Sequence, residues 1–261
     1  MPASAATRPR RYNPRVKRVL TVCVALLVAS AAYGEVTDRQ SRTVRVPAGG
    51  AVRVDLTVGD VTVTLSNGPD LVIDATRHAP TTDDLVRMPF EVDTGHPVVR
   101  IAGVQQNLGR DAALRTDLAI ALPAGVPVEA IRVFEGRVRL TGLRDGVDVD
   151  LTRGSVEATG LGGKVRLETE LGSIEVRQPD LTPGGMLRLR VFNGTVRVRT
   201  ARPPANARVL AVVFNGTLKS DWPLTLKDRF GPRFGEATYG TGDPVVSVDV
   251  VKGDIAFSLG R

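Results

Sequence analysis

The side chains best suited to chemistry in this sequence are five carboxylates near its middle. Asp148 and Asp150 lie two residues apart, and Glu168, Glu170 and Glu175 follow them. Two carboxylates on one surface can serve as acid and base, or as acid and nucleophile, in the cleavage of a glycosidic bond. Arginine and threonine are interleaved with them, however, as is typical of a solvated strand face. We therefore expect surface residues here and not a catalytic pair.

Two histidines are the only candidates for an acid-base triad or an imidazole metal ligand. His78 and His96 each lie beside a proline-containing turn, without a second histidine or cysteine at metal-ligand spacing. We expect both to be exposed loop residues. Calcium-binding Asp-x-Asp-x-Asp-Gly loops and Gly-Gly-x-Gly-x-Asp arrays are missing, and Gly240-Thr-Gly-Asp243 lacks the lysine of a phosphate-binding loop. The sequence thus predicts no catalytic residue, no cofactor and no metal, and a protein that is not an enzyme.

The positive charge of the chain is concentrated at its N-terminus. The formal net charge is +7, yet residues 1–34 contain six of the 35 basic residues and none of the 28 acidic ones. The remaining chain is therefore close to neutral. Without a basic surface, and with aromatic residues making up only 4% of the chain, a nucleic-acid partner is not expected.

Residues 1–34 have the three parts of an export signal. A basic segment ends at Arg18, an apolar run extends from Val19 to Ala32, and small residues follow. The segment is predicted to be a cleaved signal peptide or, alternatively, an uncleaved membrane anchor, which would be the only membrane contact. Cys23 lies within the apolar run, so the exported part has no cysteine and no disulfide. We expect an exported protein of the periplasm or cell surface.

The strongest pattern in the chain is a repeated unit of glycine, any residue, hydrophobic, any residue, and hydrophobic or small. Gly136, Gly154 and Gly172 are 18 residues apart, and the next two steps are 22 residues each. Alternating valines and leucines between the units predict a second strand in each repeat. Glycine suits turns that require a positive φ. We call one such repeat a coil. The glycines predicted at the turns of these coils are Gly59, Gly136, Gly154, Gly172, Gly194, Gly216 and Gly253.

These repeats predict an all-β fold, a single parallel β-helix or β-solenoid over residues 35–261. One coil cannot bury its apolar face alone, so the coils must stack on one another. The core should contain the alternating aliphatic residues, and we expect Phe134, Phe192 and Phe214, each two residues before a coil glycine, to stack there as well.

The 18-residue spacing also predicts which charged residues are neighbours. Arg139 should lie beside Glu157, and Asp148 beside Arg166, as pairs of opposite sign. The same spacing also brings together two pairs of acidic residues, one of them Asp150 with Glu168. These pairs of like charge do not favour the predicted register. Two stretches interrupt the pattern: 76–116, with a possible helix N-cap in residues 81–84, and 222–243.

Further motifs resemble the bacterial putative-adhesin families, exported domains of unknown function, over about residues 43–259. The resemblance rests on Val46-Pro-Ala-Gly-Gly50, Leu122-Pro-Ala-Gly125, the Asn-Gly repeats, and the ending Ser247-Val-Asp-Val-Val-Lys-Gly-Asp-Ile255, in which Lys252 replaces the usual Asn. It implies a right-handed parallel β-helix in the cell envelope. It brings no established catalytic residue.

The expected function is therefore that of an exported binding or structural module of the putative-adhesin type, acting on an envelope polymer or protein. One alternative is an envelope enzyme that cleaves polysaccharide on the same scaffold. Another is a membrane-tethered accessory of an envelope stress response. The sequence does not name the ligand.

Overall fold

A computed structural model describes residues 35–103, 113–228 and 231–260, and the predicted export signal lies outside them. This part of the chain contains one short helix and fifteen strands in one sheet. The elements, in chain order, are β1 (Val36–Val44), β2 (Ala51–Val58), β3 (Val61–Ser66), β4 (Leu71–Ala79), α1 (Thr82–Val86), β5 (Glu91–Asp93), β6 (Val98–Gly103), β7 (Arg115–Pro123), β8 (Val128–Thr141), β9 (Val147–Thr159), β10 (Lys164–Arg177), β11 (Met186–Thr200), β12 (Ala207–Ser220), β13 (Thr225–Asp228), β14 (Arg233–Tyr239) and β15 (Val245–Leu259).

The all-β prediction is confirmed, and its physical cause is the alternation of branched aliphatic residues. In β9, Val147, Val149 and Leu151 are buried while the residues between them face outward. The same pattern recurs along the other long strands, so that their inward side chains form one continuous apolar core. No helix in the described ranges has the length and apolar character needed to cross a membrane.

Neighbouring long strands run parallel, and β8, β9, β10 and β11 lie in the predicted register. Along the sheet the order is β8, β9, β10, β11, β15, β12, and every pair in this series is parallel. Arg139 pairs with Glu157 and Arg166 with Asp148, as the 18-residue spacing predicts. The acidic pair Asp150 and Glu168 is also in register.

Each long strand passes through its glycine without ending there, where the sequence suggested two strands separated by a turn. β9 is one strand of 13 residues around Gly154, and β10 one of 14 around Gly172. The seven predicted glycines have φ between +133° and +154°, a conformation that other residues rarely adopt. A Cβ placed on Gly154 would lie 1.8 Å from the carbonyl oxygen of Gly136 on the neighbouring strand. The glycines therefore lie back to back in a row with no room for a side chain.

The order of the strands at both ends of this row departs from chain order. The 22-residue step from Gly194 to Gly216 does not join neighbours, because β15 lies between β11 and β12 and places Gly253 between them. At the other end, β2 lies between β8 and β6, and β3 lies between β8 and β7. The prediction that repeats 22 residues apart stack directly on each other is therefore wrong for Gly194 and Gly216. Strands from earlier or later parts of the chain make the same backbone hydrogen bonds in their place.

Antiparallel strands cover both ends of the parallel series, and those at one end, β13 and β14, come from the irregular stretch 222–243. β4 covers β7 and is itself covered by β1, while β14 covers β12 and is covered by β13. The predicted N-cap is Thr81, whose side chain accepts a hydrogen bond from the backbone N–H of Asp84 at the start of α1. Covered edges present fewer unpaired backbone groups to other chains, which limits edge-to-edge aggregation.

Replacement of Gly154 by alanine should destabilise the fold strongly. The new Cβ would collide with the carbonyl oxygen of Gly136, and φ at this position is +135°. We expect the free energy of unfolding, measured by chemical denaturation, to fall by about 3 kcal/mol or more. Gly184→Ala is the matched control, because Gly184 has φ +78° and nothing within 4 Å of its Cβ position; its cost should be about 1 kcal/mol. Equal losses in both variants would show that close stacking is unimportant.

Candidate functional site

Each long strand presents two outward surfaces, one before and one after its glycine. We call them the first-arm face and the second-arm face. Residues at equivalent positions of neighbouring strands form rows across these faces, with about 4.8 Å between strands. The pairing of neighbouring strands determines which side chains share a row.

The five candidate carboxylates do not form one cluster. Asp148, Asp150, Glu168 and Glu170 precede the glycines of their strands and lie on the first-arm face, whereas Glu175 follows its glycine and lies on the second-arm face. A single acid-base site that includes all five is therefore excluded by the geometry.

A shallow cavity of about 570 Å³ lies on the first-arm face between β9 and β11. Its lining includes Asp150, Glu168, Glu170, Arg190 and Phe192. A wider depression of about 760 Å³ lies among the turns at 45–50, 65–69 and 123–126 and has one charged side chain in its lining. Of these two sites, the cavity on the first-arm face is the one with chemically varied polar groups.

Arg166 links Asp148 with Glu168, which lines the cavity. Its guanidinium lies 3.1 Å from Asp148 Oδ1 and 2.8 Å from Glu168 Oε2. Desolvation opposes the charged form, but hydrogen bonding to Asp148 and the two nearby carboxylates outweigh it and raise the pKa of Arg166. The guanidinium thus stays charged and offsets the repulsion that the register creates between Asp150 and Glu168. Glu168 Oε1 is buried and has no hydrogen-bond partner among the described residues.

Glu175 is held ionised by its own strand. Arg177 Nε donates a hydrogen bond of 2.8 Å to Glu175 Oε1, and this bond lowers the pKa of Glu175 against the opposing effect of burial. A general acid for glycosidic cleavage needs a raised pKa. Glu175 is accordingly unsuited to donate a proton at neutral pH.

The two histidines have different surroundings. His96 is exposed in a turn, as predicted. For His78 the prediction of an exposed loop residue is wrong: it lies in β4 with its ring nitrogens 3.4 Å from Glu35 Oε1 and 3.3 Å from Asp117 Oδ2. The strand pairing of β4 with β7 brings Asp117 close, which no local pattern in the sequence reveals. Within the described ranges, no group of three or more His, Cys, Asp or Glu is arranged to hold a metal ion.

Two of the three phenylalanines predicted in the core are on the surface instead. Phe192 and Phe214 are 61% and 58% exposed, and Phe134 is half-buried. The strand bends at the glycine. The inward positions lie three residues before it and two residues after it, so they are an odd number of residues apart, and the alternation between inward and outward side chains reverses there. A residue two before the glycine therefore faces solvent.

The exposed phenylalanines belong to a repeated surface feature. Phe192-Asn193-Gly194-Thr195 on β11 and Phe214-Asn215-Gly216-Thr217 on β12 have the same four residues in the same place. β15 runs between them, because Asn193 and Asn215 both pair with Lys252. We call this surface the Phe-Asn row; it consists of Phe192, Asn193, Val251, Lys252, Phe214 and Asn215.

Comparison with solved structures supports the resemblance seen in the sequence. The fold is similar to that of a putative cell adhesion protein from Clostridium sporogenes. The TM-score is 0.50 at 11% identity, over 85% of this chain and all of that one (100%). A putative adhesin from Bacteroides fragilis also matches, with a TM-score of 0.42 at 14% identity over 84% of this chain and 97% of that one. No protein-family model and no curated protein matches the sequence. The resemblance to putative adhesins is thus confirmed for the fold.

Sequence reasoning located the carboxylates but missed the Phe-Asn row as a surface. The duplicated Phe-Asn-Gly-Thr was visible in the sequence, as was the equivalent Val251-Lys252-Gly253-Asp254. What could not be seen was that the third segment lies between the other two and that the phenyl rings face outward.

Replacement of Arg177 by methionine should raise the pKa of Glu175. The variant removes the hydrogen bond and the nearby positive charge that favour the carboxylate. Titration of the side-chain carboxyl carbon by NMR measures the change directly. Arg153→Met, which removes the partner of Glu135 on another strand, is the control and should leave the titration of Glu175 unchanged. An unaltered pKa in Arg177→Met would contradict the assignment of this hydrogen bond.

Proposed function

We propose that this protein is an exported module of the cell surface or periplasm that binds an extended envelope polymer or protein through its first-arm face, without catalysing a reaction. The observation that carries the proposal is the Phe-Asn row, in which two large aromatic side chains are held in solvent at equivalent positions.

Exposure of these rings has an energetic cost that a purely structural role does not explain. Burial of a phenylalanine side chain contributes about 1.5–3 kcal/mol, which Phe192 and Phe214 largely forgo. Exposed apolar groups rimmed by polar residues are typical of binding surfaces. Here the rim is formed by Asn193, Asn215 and Lys252. The row therefore fits a ligand that covers both rings.

The scaffold in this proposal is a right-handed parallel β-solenoid. A straight β9 would be about 40 Å long, since a strand rises about 3.3 Å per residue. Val147 at the start of β9 nevertheless pairs with Val165 near the start of β10, and only residues 160–163 connect the two strands. Such a link spans at most about 18 Å. A fold-back of the strand at Gly154 would make this connection possible and would turn each repeat into one coil; right-handedness follows the general preference of parallel crossovers.

Export and envelope location rest on two independent supports. Residues 1–34 have the composition of an export signal, with a basic segment before an apolar run. A solved structure of similar fold is that of a putative cell adhesion protein. A solenoid with a long, rigid face suits multiple weak contacts with a polymer or a partner protein at such a surface.

A second candidate, cleavage of envelope polysaccharide, is favoured by the cavity at Asp150, Glu168 and Glu170. The ion pairs of Arg166 with Asp148 and Glu168 argue for a structural charge network in its place. Release of reducing ends from isolated envelopes distinguishes the two. We expect none from the protein, and hydrolysis that disappears in Asp150→Asn combined with Glu168→Gln would establish the enzyme.

Binding to isolated bacterial envelopes is the test of the proposed function. The purified protein should co-sediment with envelope fragments, and the double variant Phe192→Ala, Phe214→Ala should bind at least about tenfold more weakly, because it removes both exposed rings. Val86→Ala is the control, since Val86 is an apolar residue that is 80% exposed on α1, away from the row. Equal binding by the protein and its double variant would sink the assignment to this face.

A further inference from the structure

We propose that the Phe-Asn row binds a β-linked polysaccharide whose repeating unit is a disaccharide carrying one anionic group. This inference rests on the proposed binding function and specifies its ligand. It follows from the duplication of one subsite, from the distance between the two copies, and from the charge that lies between them.

The two copies are equivalent in conformation as well as in sequence. Gly194 and Gly216, which follow the Phe-Asn pairs, have φ of +147° and +148°. Phe192 and Phe214 are exposed to almost the same extent, 61% and 58%. Each copy therefore presents one phenyl ring and one amide in the same arrangement, and a ligand that satisfies one copy satisfies the other.

The distance between the copies is set by the sheet. Because β15 separates β11 from β12, equivalent atoms of the two subsites are two strand spacings apart, about 9.6 Å. A polymer that engages both subsites in the same way must repeat over a similar length. One disaccharide of an extended β-linked hexopyranose chain has about this length, so that every second sugar lies over a phenyl ring.

The side chains of each subsite suit a sugar ring. The flat C–H face of a pyranose packs on an aromatic face, while its hydroxyl groups both donate and accept hydrogen bonds. The asparagine amide offers two donors and one acceptor oxygen beside each ring. Asn193 and Asn215 are both exposed and thus accessible to such hydroxyls. Aromatic ring and amide together recognise a sugar without the need for a deep pocket.

Lys252 adds one positive charge midway between the subsites. It is exposed and pairs along the backbone with both asparagines. The acid of the same segment, Asp254, follows the glycine and accepts a hydrogen bond of 3.0 Å from the backbone N–H of Thr217. Asp254 therefore belongs to the second-arm face and leaves the charge of Lys252 to a ligand. One carboxylate or other anion per disaccharide would meet this ammonium group.

A proline-rich peptide has a similar period, about 9.3 Å per turn of a polyproline II helix. Such peptides dock in grooves between adjacent aromatic rings. Here the half-buried Val251 lies between Phe192 and Phe214, so the rings form two separate platforms on a ledge and no groove. The arrangement favours the polysaccharide.

Calorimetric titration with hyaluronan hexasaccharide, which carries one carboxylate per disaccharide, tests the inference against neutral chitin hexasaccharide. The hyaluronan fragment should bind more tightly. Phe192→Ala and Phe214→Ala should each weaken its binding about tenfold, and the double variant about a hundredfold, since separated sites contribute additively. Hyaluronan disaccharide, which covers one subsite, should lose no more than about twofold in either single variant, because the other subsite remains.

Two further variants separate the contributions. Phe192→Leu keeps an apolar side chain without a flat face and should weaken hexasaccharide binding as much as alanine does. Lys252→Gln should remove the preference for the anionic hexasaccharide over the neutral one. Val86→Ala should bind like the unaltered protein.

Several results would overturn the ligand assignment while the binding function stands. One is capture of envelope fragments, lost in the Phe192→Ala, Phe214→Ala variant, without affinity for either hexasaccharide. Another is binding of a decaproline peptide in place of both sugars. If envelope capture itself is unaffected by the double variant, the proposed function fails first, and the two failures are thereby distinguished.

Discussion

The fold depends on a row of glycines whose backbones stack too closely for any side chain. The contacts run from Thr116 through Gly59, Gly136, Gly154, Gly172, Gly194 and Gly253 to Gly216, and a Cβ on any of these glycines would lie 1.6–1.9 Å from the carbonyl oxygen of the preceding residue in the row. This constraint fixes the bend within every long strand, because φ near +140° turns the chain where an L-residue would be strained. It also fixes the register, since a shift by one residue would bring a side chain into the row.

Register, once fixed, determines the charge pattern on the two outer faces. Residues of like sign are forced together, as Glu157 and Glu175 are, and arginines compensate from neighbouring positions. Arg139 and Arg137 both lie near Glu157, and Arg177 binds Glu175. Exposed pairs of this kind contribute little stability individually. Their effect is to offset the repulsion between acidic residues that the register brings together on neighbouring strands.

Much of this architecture could be predicted from the sequence, because period-two alternation and glycine spacing are local consequences of strand geometry and of the stacked row. The parallel register between Gly136 and Gly172 followed directly. The position of β15 did not, since Gly253 would fit beside any glycine of the row, and only the global arrangement selects Gly194 and Gly216 as its neighbours. The exposure of Phe192 could not be predicted either, because the bend reverses the alternation of inward and outward side chains at a point that no change in the sequence pattern marks.

The insertion of β15 links the proposed binding surface to the completion of the fold. If β11 and β12 were direct neighbours, Phe192 and Phe214 would be one strand spacing apart, about 4.8 Å, and would pack on each other. With β15 between them, each ring stands alone and Lys252 enters the row. β15 is the last of the described strands in chain order, and it pairs with β11 along its whole length and with β12 from Val245 to Phe257. The surface with two separated, exposed phenyl rings can therefore exist only after long-range pairing of β15 has been achieved, which excludes it from partly folded forms of the chain.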